Sequence, residues 1–213
     1  MNVLEATTAI SFKNILFLTD FTEASQPAFS YAVAIARHHD ARLYPAHAIV
    51  PFMPTELEAP VMPELLTQVE TQKRSQLVEM VRDLGISYLA LATQGTVEDA
   101  VQRWINEHGI DLIVMGTHAR KGLDRFLLGS TAEAIFRTAT CPVLTVGPNA
   151  NPRIFDGLKI RKVLYATALT RQAEAAATYA LSFAQERSGA IKSASQRLTG
   201  MMGGGNFGDS SDS

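Results

Sequence analysis

Short apolar runs alternate with helical patterns along the first 148 residues, and this alternation limits the possible fold more than any other feature. The runs at 15–18 and 111–116 are apolar at almost every position, as is typical of strands buried on both faces of a sheet. Strands that alternate with helices predict an α/β fold, a doubly wound five-stranded parallel sheet with helices on both faces. The predicted strands are 15–18, 42–49, 86–92, 111–116 and 143–146, and the predicted helices are 25–39, 63–84, 96–108 and 129–138.

The composition argues against several functional classes. The 19 Lys and Arg residues against 21 Asp and Glu residues give a net charge of -2, without the basic excess that a general nucleic-acid binder needs. No window approaches the ~18 apolar residues of a membrane span, and the first residues do not resemble a signal peptide. The single cysteine, Cys141, can form neither an internal disulfide nor a zinc site of several thiolates. We therefore expect a cytoplasmic protein with no membrane or nucleic-acid partner.

A second copy of the opening strand–helix unit is predicted near the end of the chain. Residues 13–43 align without a gap to residues 161–191, at a constant offset of 148. The residues that follow are rich in Gly and Ser and lack apolar periodicity, which predicts disorder. The predicted organisation is a complete domain over 13–148, a linker over 149–160, a partial second repeat (a strand–helix fragment) over 161–190 and a disordered tail over 191–213.

The segment between the fourth and fifth predicted strands has the clearest chemistry. A buried strand would bring Gly116 to the carboxyl edge of the sheet, a basic loop follows, and Gly129 opens a helix. Helix N-termini offer free N–H groups and partial positive charge, which suit phosphate, and ligands of open parallel sheets bind at this edge. A purely structural role is the alternative, because Ser130 and Glu133 match a helix-capping pattern and the glycines suit turns.

These motifs resemble those of the universal stress protein family. The family pattern G-x2-G-x9-G-[ST] falls on GTHARKGLDRFLLGS, in which Gly116, Gly129 and Ser130 match. Asp20, within LTDFTEAS, matches the aspartate that follows the first strand of the family. His47 matches the histidine that closes the second strand.

The resemblance covers residues 13–148 and implies the strand order 3-2-1-4-5. It also implies a stress-response protein that binds ATP or a related adenine nucleotide, with Mg²⁺ accompanying ATP and no assigned catalysis. Asp20 and the backbone of Ala48 would face the adenosine, and family members often form homodimers through the last strand, here 143–146. The implied nucleotide-binding residues are Asp20, Ala48, Gly116, Thr117, His118, Ala119, Arg120, Gly122, Gly129, Ser130 and Thr131.

One position departs from the family pattern: its middle glycine is Ala119 in this chain. If the position needs a positive φ, alanine costs ~1–2 kcal/mol, and if the ligand approaches closely there, the methyl group would crowd it. The alternative function is therefore a family member that binds no nucleotide and acts through dimerisation and partner docking. An ATP-hydrolysing enzyme is the weaker third hypothesis, because the sequence allows no catalytic base or water-positioning residue to be named.

Overall fold

A computed structural model describes residues 10–50, 63–117, 129–150, 163–165, 176–180 and 182. Contacts between residues separate a unit spanning Phe12–Leu158 from the rest of the chain. No helix in the described part of the chain is long and apolar enough to cross a membrane. The elements in chain order are β1 (Asn14–Leu18), a 3-10 turn (Glu23–Ser25), α1 (Gln26–His39), β2 (Arg42–Ile49), α2 (Pro63–Val81), β3 (Leu91–Gln94), α3 (Val97–His108), β4 (Leu112–Gly116), α4 (Ser130–Thr138) and β5 (Val143–Val146).

The strands form one parallel sheet in the order β3-β2-β1-β4-β5, which confirms the predicted architecture and strand order. β1 is the central strand, and its Leu16 lies opposite Tyr44 of β2 and Ile113 of β4. From β1 the chain builds outward through β2 and β3, and then returns to the other side of β1 to build β4 and β5. Connections on either side of such a reversal diverge, and they leave a crevice at the carboxyl edge of the sheet.

Apolar layers cover both faces of the sheet, which explains why the strand sequences are apolar at nearly every position. On one face, Leu16 packs in a cluster with Trp104 of α3 and Ile135 of α4. The next residue along β1, Phe17, faces the opposite side, where its ring lies 5.3 Å from that of Phe29 of α1. β1 is therefore sealed on both faces as well as along both edges.

The third strand begins later than the sequence predicts. Its ladder to β2 spans Leu91–Gln94 rather than 86–92. The preceding residues reach β2 through an isolated bridge, in which the Leu43 N–H donates to the Ser87 carbonyl oxygen at 2.9 Å and the Leu43 carbonyl accepts from the Leu89 N–H at 3.0 Å. Apolar alternation thus marks the whole approach to the sheet, whereas continuous pairing is confined to the last four residues.

Little of the predicted second repeat lies in the described residues. Residues 163–165 are not part of a strand, and Leu164 is 93% exposed. Residues 176–180 are helical. The rest of this repeat, the linker beyond residue 150 and the tail lie outside the described residues, so the domain organisation after β5 stays a prediction.

Gly116, at the end of β4, lies against the backbone of the 3-10 turn. A Cβ atom at this position would lie 2.6 Å from the Ala24 carbonyl oxygen and 3.1 Å from Ser25 Cα. Both are backbone atoms, so neither can rotate away as a side chain could. Glycine therefore allows β4 to approach the turn that follows β1.

Gly116→Ala should lower the free energy of unfolding by ~1–3 kcal/mol, because the added methyl overpacks a close backbone contact. Gly147→Ala is the matched control, since a Cβ atom on Gly147 meets no described atom within 4 Å. We expect the control to change stability by less than ~0.5 kcal/mol. Urea denaturation of the two variants and the wild type measures the difference, and equal stability of all three proteins would contradict the packing role.

Candidate functional site

A cleft of about 440 Å³ opens at the carboxyl edge of the sheet, where the connections after β1 and β4 diverge. Its walls come from the ends of β1, β2 and β4 and from the first turn of α4. The predicted site residues that line it are Asp20, Ala48, Gly116, Thr117, Gly129, Ser130 and Thr131. The remaining predicted residues, His118, Ala119, Arg120 and Gly122, lie outside the described residues. The fold therefore brings together the ends of β1, β2 and β4 and the start of α4, which are well separated in the sequence.

Asp20 lies at the rim of the cleft, directly after β1. Its Oδ1 atom accepts hydrogen bonds from the Thr22 N–H at 3.0 Å and from the Thr22 hydroxyl at 2.7 Å. The side chain is exposed. These two bonds orient the carboxylate within a local turn.

The backbone on either side of Asp20 is held by buried hydroxyl groups. The Thr19 hydroxyl accepts the Phe21 N–H at 2.9 Å and lies 2.9 Å from the Ser25 hydroxyl, while the Ser25 hydroxyl also donates to the Thr22 carbonyl at 2.8 Å. Phe21 has φ = 64°, a left-handed conformation that is unusual for a residue with a bulky side chain. The network satisfies the backbone groups of this strained turn.

His47 joins this turn to the second strand. Its Nδ1 atom lies 2.8 Å from the Thr19 carbonyl oxygen, and since a carbonyl can only accept, Nδ1 carries the proton. The imidazole ring lies 4.8 Å from the Phe21 ring. Burial lowers the pKa of His47 below its ordinary value, and nearby Lys73 adds to this, while the hydrogen bond to Thr19 and the charge of Asp20 oppose it. At neutral pH the ring is therefore uncharged.

The first turn of α4 forms the opposite wall of the cleft. Gly129 is the N-cap residue, with φ = −61° and ψ = 156°, and no side chain caps the helix. The capping pattern at Ser130 and Glu133 is not used, because Ser130 is already helical and the Glu133 carboxylate pairs with Arg137 at 2.7 Å. A Cβ atom on Gly129 would meet no described atom within 4 Å. Among the described residues, the N–H groups of this helix start have no side-chain cap, and they border the cleft.

Two kinds of chemistry lack a basis in the described residues. No group of three or more His, Cys, Asp or Glu side chains there could hold a metal ion. Burial raises the pKa of the Cys141 thiol to about 11, so the thiol stays protonated at neutral pH and is a poor nucleophile.

A match to a family model establishes the family of this chain. The model of the universal stress protein family matches residues 11–147. The chain belongs to the universal stress protein family. It is 32% identical over 139 residues to a universal stress protein of Methanocaldococcus jannaschii, covering 63% of this chain and 82% of the relative. It is 34% identical over 140 residues to universal stress protein A homolog 1 of Coxiella burnetii, covering 63% and 96%.

Solved structures of universal stress proteins are also similar to this chain. One is a family protein from Burkholderia pseudomallei, 24% identical with a TM-score of 0.49, which covers 63% of this chain and 96% of its own. Another is a family protein from Arabidopsis thaliana with AMP bound, 17% identical with a TM-score of 0.44, which covers 65% and 93%.

Nine residues that line the cleft were missing from the predicted set: Leu18, Thr19, Ser25, Ala46, His47, Val50, Val97, Met115 and Ala132. Val50 directly follows β2 and is 63% exposed, and Val97 begins α3. The sequence does show that Val50 is an apolar residue directly after a predicted strand, and this position could have indicated a contact with a ligand. His47 matches the family pattern, but the pattern by itself assigns it no task.

Ser130→Ala should leave the stability nearly unchanged, within ~0.5 kcal/mol, because Ser130 caps nothing. The matched comparison is Thr96→Ala, since the Thr96 hydroxyl accepts the Asp99 N–H at 3.1 Å and caps α3. That variant should lose ~0.5–2 kcal/mol. Thermal or urea denaturation of both variants measures the difference, and a large loss in Ser130→Ala would restore the capping hypothesis.

Proposed function

We propose that the cleft binds an adenine nucleotide, ATP or a related molecule, and that this universal stress protein responds to the nucleotide without catalysis of its own. The observation that carries the proposal is that one cleft joins the strand backbone at Ala48, beyond the end of β1, to a start of α4 that has no side-chain cap among the described residues. Its volume of about 440 Å³ falls within the ~300–1,000 Å³ of small-molecule sites. The end at Ala48 offers backbone hydrogen-bonding groups, which suit a base, and the end at α4 offers a helix N-terminus, which suits phosphate.

The adenosine end is formed by β2 and the turn after β1. Alternate residues of β2 bond to its two neighbours: the Ala46 carbonyl accepts from Thr19 on the β1 side, and the Ile49 carbonyl accepts from Gly95 on the β3 side. Ala48 therefore directs its backbone groups toward the β1 side, at a point where β1 has already ended. Such groups suit the polar edge of a base, and Val50 offers apolar contact to its face.

Asp20 supplies a carboxylate beside this backbone. A carboxylate is an acceptor for two hydroxyl donors, so it suits the vicinal hydroxyls of a ribose. The phosphate end is α4, where the N–H groups of the first turn and the helix dipole favour negative charge. The missing Cβ of Gly129 leaves room for phosphate to approach this backbone.

Mg²⁺ would accompany ATP rather than occupy a site made by the protein. Among the described lining residues the carboxylate is that of Asp20, which lies after β1 and not on α4. Mg²⁺ commonly keeps several waters and is held largely by phosphate oxygens, and such binding fits this cleft.

Gly129→Glu should abolish binding of Mg-ATP, because it adds bulk and negative charge where phosphate would lie. The carboxylate at a helix N-terminus stabilises the helix, so the variant should remain folded. Isothermal titration calorimetry with Mg-ATP measures the affinity, and circular dichroism checks the fold. Gly147→Glu carries the same charge change at a glycine that does not line the cleft and should bind as the wild type does. Equal affinity in Gly129→Glu and the wild type would refute the phosphate site.

We also propose that the protein dimerises through the outer edge of β5, which is the alternative route to function if nucleotide is not bound. Within the described residues β5 pairs with β4 alone. The Pro142 carbonyl accepts from Ile113 and the Val146 carbonyl from Thr117. The alternate residues, Val143 and Thr145, therefore direct their N–H and carbonyl groups outward, where a second copy would pair.

Thr145→Pro should convert a dimer to a monomer, because it removes an outward N–H while sparing the bonds to β4. Light scattering coupled to size-exclusion chromatography measures the mass. A monomeric wild type, or a dimer that survives the substitution, would contradict dimerisation through this edge.

A cytoplasmic location and a partial second repeat over residues 161–190 also remain proposals. The ungapped alignment of 13–43 with 161–191 supports the repeat. The absence of a membrane-spanning helix among the described residues is compatible with the location.

A further inference from the structure

We propose that His47 is a positioning residue of the nucleotide site, which sets the Asp20 carboxylate for the ribose and ties it to the backbone that faces the base. The inference rests on the proposed nucleotide function. His47 lines the cleft, yet the chemistry proposed above gives it no contact with the ligand. Its described contacts are instead with the residues on either side of Asp20.

A single imidazole holds both neighbours of Asp20. Its Nδ1–H donates to the carbonyl of Thr19, the residue before Asp20, at 2.8 Å. Its ring lies 4.8 Å from the ring of Phe21, the residue after Asp20, with the two planes at 54°. The peptide unit that carries the carboxylate is thereby fixed from both sides, and its direction depends on where the imidazole stands.

Phe21 shows that this arrangement is imposed and not relaxed. Its φ of 64° disfavours any side chain with a Cβ, and such a conformation persists where the surroundings over-determine it. The Phe21 N–H is held by the Thr19 hydroxyl at 2.9 Å, and the Lys73 Nζ atom lies 4.6 Å from the centre of the Phe21 ring. With His47 also against the ring, Phe21 is kept in a conformation that points the preceding carboxylate toward the cleft rim.

His47 is itself anchored in the sheet, which makes it a fixed reference. It lies opposite Ala92 in the β2–β3 ladder, and it directly precedes Ala48, whose backbone is proposed to face the base. His47 therefore sets the distance between the Asp20 carboxylate, which is proposed to bind the ribose, and the Ala48 backbone, which is proposed to bind the base. A loosened His47 would misplace Asp20 while leaving Ala48 where it is.

The test compares ATP with 2′,3′-dideoxyATP, which lacks the hydroxyls that Asp20 would accept. The measured quantity is the ratio of the two affinities from calorimetry on the full chain. Asp20→Ala should bring the ratio close to one. His47→Phe keeps an aromatic ring beside Phe21 but removes the donor, and it should lower the ratio by ~3–10-fold, which corresponds to ~0.7–1.4 kcal/mol. Its affinity for the dideoxy analogue should change less than twofold, since general damage to the cleft would weaken both ligands equally.

His47→Asn provides the rescue. The asparagine side-chain amide can place an N–H donor where the imidazole Nδ1 stands, so it should restore at least half of the lost ratio. His108→Phe is the matched control, because His108 also stacks on an aromatic ring, that of Tyr44 at 5.1 Å, and it does not line the cleft. The control should show the wild-type ratio.

A second readout needs no ligand. Nitrogen-15 NMR of the imidazole should show the neutral Nδ1–H form of His47 at pH 7, since burial lowers its pKa. Amide hydrogen exchange at Thr22, whose N–H is bonded to Asp20 at 3.0 Å, should be at least threefold faster in His47→Phe and close to wild type in His47→Asn and His108→Phe.

The two readouts separate failure of this inference from failure of the proposed function. If the wild type binds neither nucleotide, the proposed function fails, and the exchange rates alone decide whether His47 positions the turn. If ATP binds but His47→Phe retains the wild-type ratio, or if Asn fails to rescue it, the positioning role is overturned. Unchanged exchange at Thr22 in His47→Phe overturns it as well.

Discussion

The structure depends on the burial of β1 at the centre of a parallel sheet. A strand with neighbours on both edges and helices on both faces must be apolar along its whole length, as the run from Ile15 to Leu18 is. Such a strand can display polar groups only after it ends, at Thr19 and Asp20. Since β2 and β4 flank β1 on opposite sides, the chain must reverse its winding direction there. The cleft is the geometric consequence of that reversal.

Periodic patterns in the sequence were sufficient to predict the five strands and the helices between them, because buried parallel strands and amphipathic helices have distinct apolar periods. The strand order was implied by the family resemblance. The prediction was less accurate at the sheet's outer edge. β3 pairs continuously over Leu91–Gln94 only, since an edge strand needs fewer ladder contacts and its apolar pattern extends beyond them. α2 likewise ends at Val81, earlier than predicted, and Gly85 lies in the turn that follows, with φ = 64°. Boundaries of this kind are set by tertiary pairing that local periodicity does not encode.

The candidate site was predictable to a similar degree. The family pattern located Asp20 and the helix start at Gly129, which line one cleft although more than 100 residues lie between them in the sequence. It assigned no role to His47, because the role proposed for this residue depends on contacts to a carbonyl oxygen and to a ring of a strained turn. Neither the left-handed φ of Phe21 nor the tautomer of His47 can be predicted from composition or periodicity. The contribution of the three-dimensional structure is therefore the support around the site more than its list of residues.

Gly116 and Gly129 belong to the same sequence motif, but the surroundings of the two glycines differ. A side chain at Gly116 would collide with the backbone of the turn after β1, whereas a side chain at Gly129 would project into open space among the described residues. Selection can therefore act on them separately. A lineage that replaced Gly129 would lose the surface proposed to accommodate phosphate and keep its scaffold, while one that replaced Gly116 would compromise the scaffold itself. Where a related sequence retains the first glycine and has lost the second, the retained glycine indicates that the fold is conserved and does not indicate ligand binding.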